Sequence, residues 1–239
     1  MNPPLAPRPP APESGAARRF WDERYRREGH IWGDAPSITA EAVARFFRAN
    51  GLRRVCIPGC AYGRHCLYFA RKGFRVLGVD LSPAGLAMAA EGARAAGVPV
   101  GLAGGDALAL PIRDGALDGI YAFNLLHLFL AEGRGRCAAE LCRILRPSGW
   151  LCATVFARED PSFGKGQEVE PDTFDDRGGR PAHYFTAPEL TELLRRAGFI
   201  ARGVETIHEQ EDHGAGPHLH VWHLLTAQRP PGRQGGNSS

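Results

Sequence analysis

The stretch Val-Cys-Ile-Pro-Gly-Cys-Ala-Tyr-Gly-Arg, residues 55–64, constrains the fold of this chain more than any other. An apolar run over 55–58 breaks into small residues, and a helical pattern with Gly73 at its C-terminal end follows at once. A second apolar run, 74–79, ends in Asp80. A glycine turn lets backbone N–H groups approach a ligand, and a carboxylate ending the next strand can bind ribose hydroxyls. The unit therefore predicts a nucleoside-cofactor site.

The spacing of the small residues in this turn indicates which cofactor it holds. A dinucleotide fingerprint requires G-x-G-x-x-G, whose last glycine packs the helix on the sheet, but Arg64 stands at that position. The small residues fall instead at alternate positions, Gly59, Ala61 and Gly63, with Cys60 between the first two. This spacing resembles the G-x-G-x-G turn of the class I S-adenosylmethionine-dependent methyltransferases.

Three more signals follow in the order that this family shows. Residues 104–107, Gly-Gly-Asp-Ala, come after a short apolar segment, and a further apolar stretch ends at Asn124. Residues 145–149, Leu-Arg-Pro-Ser-Gly, then lead into another apolar run. These signals resemble the family's third-strand acid, its fourth strand and the L-x-P-G-G turn into its fifth strand. Four signals in one order over about 100 residues are more specific than any one of them.

The resemblance implies roles for individual residues. It implies that Asp80 holds the ribose hydroxyls of S-adenosyl-L-methionine and that Asp106 reaches its adenine amino group. The other residues predicted to bind the cofactor flank these acids, form the turn or lie in the N-terminal segment: Gly59, Cys60, Ala61, Gly63, Leu81, Ala107, Asn124 and Trp32.

Segments outside this core narrow the resemblance. Residues 21–25, Trp-Asp-Glu-Arg-Tyr, and residues 31–33, Ile-Trp-Gly, are similar to the N-terminal segment of the tellurite-resistance methyltransferase family and its small-molecule relatives. Residues 63–70 are similar to the start of a helix in that family. Residues 58–60, Pro-Gly-Cys, are similar to the P-G-C-G turn of thiol and halide methyltransferases.

Strand and helix patterns alternate along the chain, which predicts an α/β fold with a parallel sheet and helices on both faces. The resemblance specifies a Rossmann-like, mostly parallel seven-stranded sheet with an antiparallel last strand. We expect one methyltransferase domain over residues 18–229, in which residues 18–50 form a cap or lid. The proline-rich residues 1–17 and the Gly/Pro/Ser-rich residues 230–239 are expected to be disordered.

Charge and composition exclude several classes of protein. The net charge is only +3 and basic residues alternate with acidic ones, which disfavours nucleic-acid binding. Six cysteines lack C-x-x-C spacing, so neither a zinc site nor a disulfide framework is indicated. Apolar runs fall short of the ~18 residues of a membrane span, and the N-terminus lacks the apolar core of a signal peptide. We therefore expect a cytoplasmic protein with a small-molecule substrate.

Histidines mark a second region of interest. Five of the nine lie within residues 207–223, around a predicted turn at the carboxyl edge of the sheet, where such folds bind ligands. His213 and His218 are therefore candidate catalytic residues, as is His183, which ends a long polar loop predicted over residues 157–183. A polar hairpin with structural histidines and a metal site both stay open as alternatives, although no ligand trio has firm spacing.

The sequence as a whole predicts a methyltransferase that acts on a small nucleophile, and the resemblance favours a thiol or chalcogen oxyanion. Two other functions stay open. Ala61 replaces the usual middle glycine and Ile57 stands where most relatives carry an acid, which would fit a sensor or scaffold that binds the cofactor without catalysis. An NAD-dependent oxidoreductase is the other alternative, and Arg64 disfavours it.

Overall fold

The structure, a computed structural model, describes residues 14–176, 178, 180–212 and 216–232. The helices are α1 (Ser14–Glu28), α2 (Ile38–Ala49), α3 (Arg64–Arg71), α4 (Pro83–Ala96), α5 (Ala131–Ile144) and α6 (Ala187–Arg196), with a 3-10 turn at Leu126–Leu128. The strands are β1 (Arg54–Pro58), β2 (Arg75–Asp80), β3 (Val100–Gly104), β4 (Leu117–Phe123), β5 (Leu145–Phe156), β6 (Gln167–Glu170), β7 (Thr173–Asp175), β8 (Pro181–His183), β9 (Ile200–Asp212) and β10 (Pro217–Gln228). Among the helices of these described residues, none combines the length and apolar character that crossing a membrane requires.

Seven strands form the main sheet in the order β3-β2-β1-β4-β5-β10-β9. The pairs from β3 to β5 are parallel, whereas β10 runs antiparallel to both β5 and β9. The predicted Rossmann-like sheet with an antiparallel last strand is thus confirmed. The strand order reverses between β1 and β4, and open α/β sheets bind ligands at the carboxyl ends of the strands beside such a reversal.

Helices cover both faces of this sheet and bury its central strands. On one face, Phe47 of α2 and Phe69 of α3 pack with ring centroids 6.1 Å apart. On the other face, Leu141 of α5 and Leu190 of α6 are fully buried in a second apolar cluster. Burial of each such side chain contributes about 1.5–3 kcal/mol to the stability of the fold. The strands whose ends carry the site are therefore held by a packed core on both faces.

Side-chain caps fix where two helices begin. Ser82 accepts a hydrogen bond from the Gly85 N–H at the start of α4, and Gly97 ends that helix in the left-handed region at φ 63°. Thr186 accepts the Glu189 N–H at the start of α6 in the same way. These side chains satisfy N–H groups that the first turn of a helix leaves without a backbone partner.

Two segments depart from the sequence prediction. Helix α1 begins at Ser14, inside the arm predicted to be disordered, and residues 1–13 lie outside the described residues. The polar segment 157–183 contains a small antiparallel sheet, β6-β7-β8, where a long loop was predicted. Phe174 and Tyr184 pack in an apolar cluster beside this sheet, which supplies the burial that the sequence pattern did not reveal.

Candidate functional site

A cavity of about 930 Å³ lies at the carboxyl edge of the main sheet. It is bordered by residues at or just beyond the ends of five parallel strands, β1 to β5, and by α1. Nine of the ten predicted cofactor-binding residues line it: Trp32, Gly59, Cys60, Ala61, Asp80, Leu81, Asp106, Ala107 and Asn124. The topology of the sheet therefore brings residues between Gly59 and Asn124, which follow four different strands, to one edge.

The turn after β1 is shaped by packing as well as by its place in the cavity. Gly59 has φ 66°, and a Cβ there would lie 3.0 Å from Cδ1 of Leu125. Gly63, the tenth predicted residue, faces α4, where an added Cβ would come within 2.9 Å of the Cβ of Ala89. Ala61 adopts φ 53°, a left-handed conformation that costs an alanine roughly 1–2 kcal/mol.

Asp80, the last residue of β2, is buried at the cavity wall. Its Oδ2 accepts the Ala61 N–H at 2.7 Å, and its Oδ1 accepts the Ser82 N–H at 2.8 Å. Burial raises the pKa of Asp80, and these backbone hydrogen bonds partly offset the rise. Each carboxylate oxygen has a further lone pair, so the group can still accept two hydroxyl donors.

Asp106 and Asn124 stand just beyond β3 and β4. Asp106 is buried and accepts the Leu108 N–H at 2.9 Å through Oδ1. Asn124 has φ 49°, a conformation that asparagine tolerates better than most residues, and its Oδ1 accepts the Thr154 hydroxyl at 2.9 Å. Both polar side chains are therefore fixed locally at the rim of the cavity.

The N-terminal segment forms an aromatic wall of the cavity. The rings of Trp21 and Tyr25 stack at 5.9 Å, and Trp32 lies 6.1 Å from Trp21 and 6.2 Å from Tyr62. Asp22 ties α1 to α4, because its Oδ1 accepts the Ser82 hydroxyl and the Ala84 N–H, each at 2.8 Å. The segment predicted as a cap is thus packed against the cofactor turn.

Arg24 is a cavity residue that the sequence analysis did not identify. Its guanidinium lies 5.7 Å from the Trp21 ring centroid and 5.6 Å from that of Trp32, and its Nε donates to Glu28 at 2.9 Å. Nη1 is buried and has no hydrogen-bond partner within the described part of the chain. A buried guanidinium N–H group normally has a partner, so this nitrogen points to a missing acceptor.

The far end of the cavity is lined by aromatic rings and histidines. The Phe156 ring lies 4.5 Å from the ring of His127 and 4.6 Å from that of Trp222. His220 stacks on Trp222 at 4.6 Å with an interplanar angle of 29°. Arg180 also lines this end, which we call the acceptor end and define by these five residues.

A buried carboxylate orients one of these histidines. Oδ2 of Asp160 lies 3.1 Å from Nδ1 of His220 and accepts the Val221 N–H at 2.8 Å. Burial by itself raises the pKa of Asp160, but hydrogen bonds from His220, Ser162 and Val221 outweigh that effect and hold it below its ordinary value. Asp160 therefore stays ionised and favours the Nδ1–H form of His220.

His127 has a different environment. Burial and then the nearby charge of Arg180 hold the pKa of His127 well below its ordinary value, so the ring is neutral near pH 7. Its Nδ1 is buried without a hydrogen-bond partner among the residues that the structure describes. The ring can therefore serve as a neutral hydrogen-bonding group in the cavity wall.

The three predicted catalytic histidines fall in different places. His218 lines the cavity, and its Nδ1 lies 3.3 Å from the Gly216 carbonyl oxygen. His213 lies outside the described residues. His183 is buried with both ring nitrogens engaged, Nδ1 by Thr173 and Nε2 by Glu189, each at 2.8 Å. His183 therefore stabilises the fold, since both of its nitrogens are engaged within the protein. The sequence signal for this role is Glu189, a carboxylate three residues after the helix cap Thr186.

His220 is a cavity residue that was not among the predicted catalytic residues. It lies two positions after His218, on the same face of β10, and the two rings are 4.8 Å apart. The described residues contain no group of three or more His, Cys, Asp or Glu side chains placed to hold a metal ion.

Comparisons with known proteins agree with this geometry. Residues 57–153 match a family model described as a methyltransferase domain. An 85-residue segment is 39% identical to the demethylmenaquinone methyltransferase of Thermus thermophilus. That match covers 35% of this chain and 37% of the relative, so the chain aligns with little more than a third of that protein.

Solved structures match over nearly the whole chain. The 1,6-didemethyltoxoflavin-N1-methyltransferase of Burkholderia thailandensis, solved with S-adenosylhomocysteine, is 25% identical with a TM-score of 0.68, covering 95% of this chain and 94% of that one. The magnesium protoporphyrin IX methyltransferase of Synechocystis, 16% identical over 93% of this chain and 99% of that one, has a TM-score of 0.63. The cyclase SpnF, 22% identical over 93% of this chain and 99% of that one, has a TM-score of 0.68, so the fold alone does not decide the reaction. Residues 57–153, which match the methyltransferase-domain model, include the turn after β1, Asp80 and Asp106 at one edge of the sheet, and this agreement supports S-adenosyl-L-methionine as the cofactor.

Proposed function

We propose that this protein transfers a methyl group from S-adenosyl-L-methionine to a small-molecule nucleophile. The observation that carries the proposal is the cavity at the strand-order reversal, where Asp80 and Asp106 stand at the ends of adjacent strands beside the turn after β1. A cavity of about 930 Å³ is large enough for a nucleoside cofactor together with a small acceptor.

The residues of the cavity fit the parts of this cofactor. Asp80 would accept the two ribose hydroxyls, since its oxygens keep lone pairs after bonding Ala61 and Ser82. Asp106 would accept a hydrogen bond from the adenine amino group. Arg24 would bind the methionine carboxylate, which supplies the acceptor that its buried Nη1 lacks among the described residues.

When bound, S-adenosylmethionine supplies a methyl group already activated on a sulfonium. The protein then has to align the acceptor and exclude water. We propose that the aromatic wall of Trp21, Tyr25 and Trp32 acts as a lid over the cofactor, because these rings pack against one another and line the cavity.

Two acceptor classes are supported by different observations. The sequence resemblance supports a thiol or chalcogen oxyanion, which needs little help from a base. The names of two relatives refer to ring compounds, demethylmenaquinone and 1,6-didemethyltoxoflavin, and the aromatic acceptor end of this cavity supports a ring compound here as well.

Calorimetric titration of the protein with S-adenosylmethionine, S-adenosylhomocysteine and NAD tests the proposal. We expect the first two ligands to bind and NAD not to bind. Binding of NAD alone would favour an oxidoreductase. Tight binding of S-adenosylmethionine without transfer to any acceptor, measured with a methyl-labelled donor, would favour a sensor or scaffold.

A further inference from the structure

We propose that His220, oriented by Asp160, is the general base for an acceptor that carries an aromatic hydroxyl or ring N–H, held against Phe156 and Trp222. This inference rests on the proposed function and adds the class of acceptor. His220 would be a catalytic residue because it would touch the reacting atom, and Asp160 would be a positioning residue.

The hydrogen bond between Asp160 and His220 selects the tautomer that a base needs. The Asp160 carboxylate is buried, lies 3.1 Å from Nδ1 of His220 and also accepts backbone N–H groups of Ser162 and Val221, each at 2.8 Å. An ionised carboxylate can only accept, so Nδ1 carries the proton and the basic lone pair lies on Nε2. Three hydrogen bonds to one buried side chain fix its position, and through it the orientation of the imidazole.

Flat rings surround this histidine. His220 lies 4.6 Å from Trp222 and 5.5 Å from Phe156, and Phe156 lies 5.3 Å from Tyr184. Aromatic pairs favour offset or edge-to-face contacts at such separations. A planar acceptor lying against Phe156 would bring its edge, where a hydroxyl or ring N–H is located, toward His220.

The charges at the acceptor end favour an acceptor that loses a proton. His127 is neutral because burial and the Arg180 charge lower its pKa, and its Nδ1 is buried without a partner in the described structure. It can donate one hydrogen bond to a polar edge of the acceptor. The cation of Arg180 lines the same cavity and stabilises an anionic form of the acceptor there.

The proposed step balances its atoms and charges. The lone pair of the acceptor oxygen or nitrogen forms a bond to the methyl carbon, while the carbon–sulfur bond breaks and leaves its electron pair on sulfur. The acceptor's proton moves to Nε2 of His220, and the imidazolium charge is balanced by the Asp160 carboxylate. The proton then passes to solvent.

A thiol acceptor would leave this pair of residues without a function. A thiol has a pKa of about 8.5 and reacts readily as its thiolate, whereas a phenolic hydroxyl has a pKa of about 10 and gains more from a positioned base. The buried aspartate beside His220 therefore favours the more weakly acidic class.

Turnover with the variants His220→Gln and Asp160→Asn tests the inference. The probes are catechol for an aromatic hydroxyl, benzimidazole for a ring N–H and thiophenol for a thiol, each with methyl-labelled S-adenosylmethionine. We expect methylation of a hydroxyl or N–H probe, a ~10²–10⁴-fold lower kcat in His220→Gln, and a smaller loss in Asp160→Asn. His208→Gln, which changes an exposed histidine on β9, is the matched control and keeps wild-type kcat.

The pH profile separates a base from a merely structural residue. A step that needs an unprotonated base should make the wild-type kcat rise with pH, and this rise should vanish in His220→Gln. Other titratable or charged groups also face this region and are unchanged in the variant: Asp160, His218, His127, Arg180, Lys165, Asp176 and, opposite His220 in the strand register, Glu209.

Two measurements separate failure of this inference from failure of the proposed function. Binding of S-adenosylhomocysteine should be within about twofold of wild type in His220→Gln; no binding to the wild type would overturn the proposed function itself. Turnover only with thiophenol, no turnover with any hydroxyl or N–H probe, or unchanged kcat in His220→Gln would overturn the inference alone. Nitrogen NMR of labelled histidine adds a test without turnover, because the inference requires an Nδ1–H tautomer for His220 that Asp160→Asn weakens.

Discussion

Oδ2 of Asp80 accepts a 2.7 Å hydrogen bond from the backbone N–H of Ala61, so the carboxylate that ends β2 is fixed to the turn that follows β1. Its other oxygen accepts the Ser82 N–H at the start of α4. One buried side chain thus joins the cofactor turn to a helix N-terminus. This bond also holds Ala61 in place although its φ of 53° is unfavourable for alanine.

Replacing Asp80 should weaken cofactor binding. Asp80→Ala removes the carboxylate that we propose accepts the two ribose hydroxyls, worth about 1.5–3 kcal/mol, and the Kd for S-adenosylhomocysteine should rise tenfold to hundredfold. Titration calorimetry measures the change. Asp114→Ala is the control, because Asp114 is exposed and pairs only with Arg143 in the structure as described. Wild-type affinity in Asp80→Ala would refute the ribose assignment.

Arg24 should discriminate between ligands with and without a carboxylate. Arg24→Leu should raise the Kd for S-adenosylhomocysteine about tenfold or more, since a charged hydrogen bond is worth about 1.5–3 kcal/mol. The Kd for 5′-methylthioadenosine, which lacks the amino acid part, should stay unchanged. Arg27→Ala, an exposed change on the same helix, is the control. Equal losses for both ligands would mean that Arg24 only supports the fold.

Glu209 should stabilise the junction between α2 and the edge of the sheet. This buried carboxylate on β9 accepts the Ser37 hydroxyl at 2.7 Å, the Ile38 N–H at 2.9 Å and Nε1 of Trp222 at 3.1 Å. Glu209→Ala leaves these donors without an acceptor and should lower the free energy of unfolding by roughly 2–4 kcal/mol.

Urea denaturation of Glu209→Ala beside Glu205→Ala measures this effect. Glu205 lies on the same strand but is exposed, so its replacement should change the unfolding free energy by less than about 0.5 kcal/mol. Similar midpoints for both variants would contradict the role of Glu209.

The sequence pattern was sufficient to predict the sheet and to select residues that the fold brings to one cavity. Small residues at Gly59 and Ala61 and acids at Asp80 and Asp106 follow apolar runs, and parallel strands bring their carboxyl ends to one edge. The pattern could not rank the histidines, because the partner of His220 is Asp160, which lies 60 positions away in sequence and meets it only through the sheet.

Burial explains the other differences between the prediction and the structure. His183 ends a polar segment, yet its hydrogen bonds to Thr173 and Glu189 engage it within the fold. These contacts depend on the small sheet β6-β7-β8, whose strands show no strong hydrophobic periodicity in the sequence. Arg24 has the sequence character of a surface residue, and only the packing of α1 buries its guanidinium. Charged residues in mixed helices carry no local signal of their burial.

Asp118 should make the fold sensitive to acid. Its Oδ2 accepts the Arg54 N–H at 2.8 Å, and its Oδ1 pairs with the guanidinium groups of Arg54 and Arg146, which links the start of β1 to β4 and β5. Burial by itself raises the pKa of Asp118, but hydrogen bonds from Arg54, Arg146 and Arg53 outweigh it and hold the folded pKa far below the ordinary 3.8.

A carboxylate with a lowered folded pKa stabilises the protein above its unfolded pKa, and this stabilisation is lost as the pH falls toward the folded pKa. Asp118→Asn should therefore lower the free energy of unfolding at neutral pH by about 1–3 kcal/mol and flatten its decline between about pH 5 and 2. Urea denaturation across this pH range measures both effects, with the exposed Asp114→Asn as control. If the unfolding free energy of Asp118→Asn falls as steeply with decreasing pH as that of the wild type and of Asp114→Asn, other carboxylates cause the acid sensitivity of the fold.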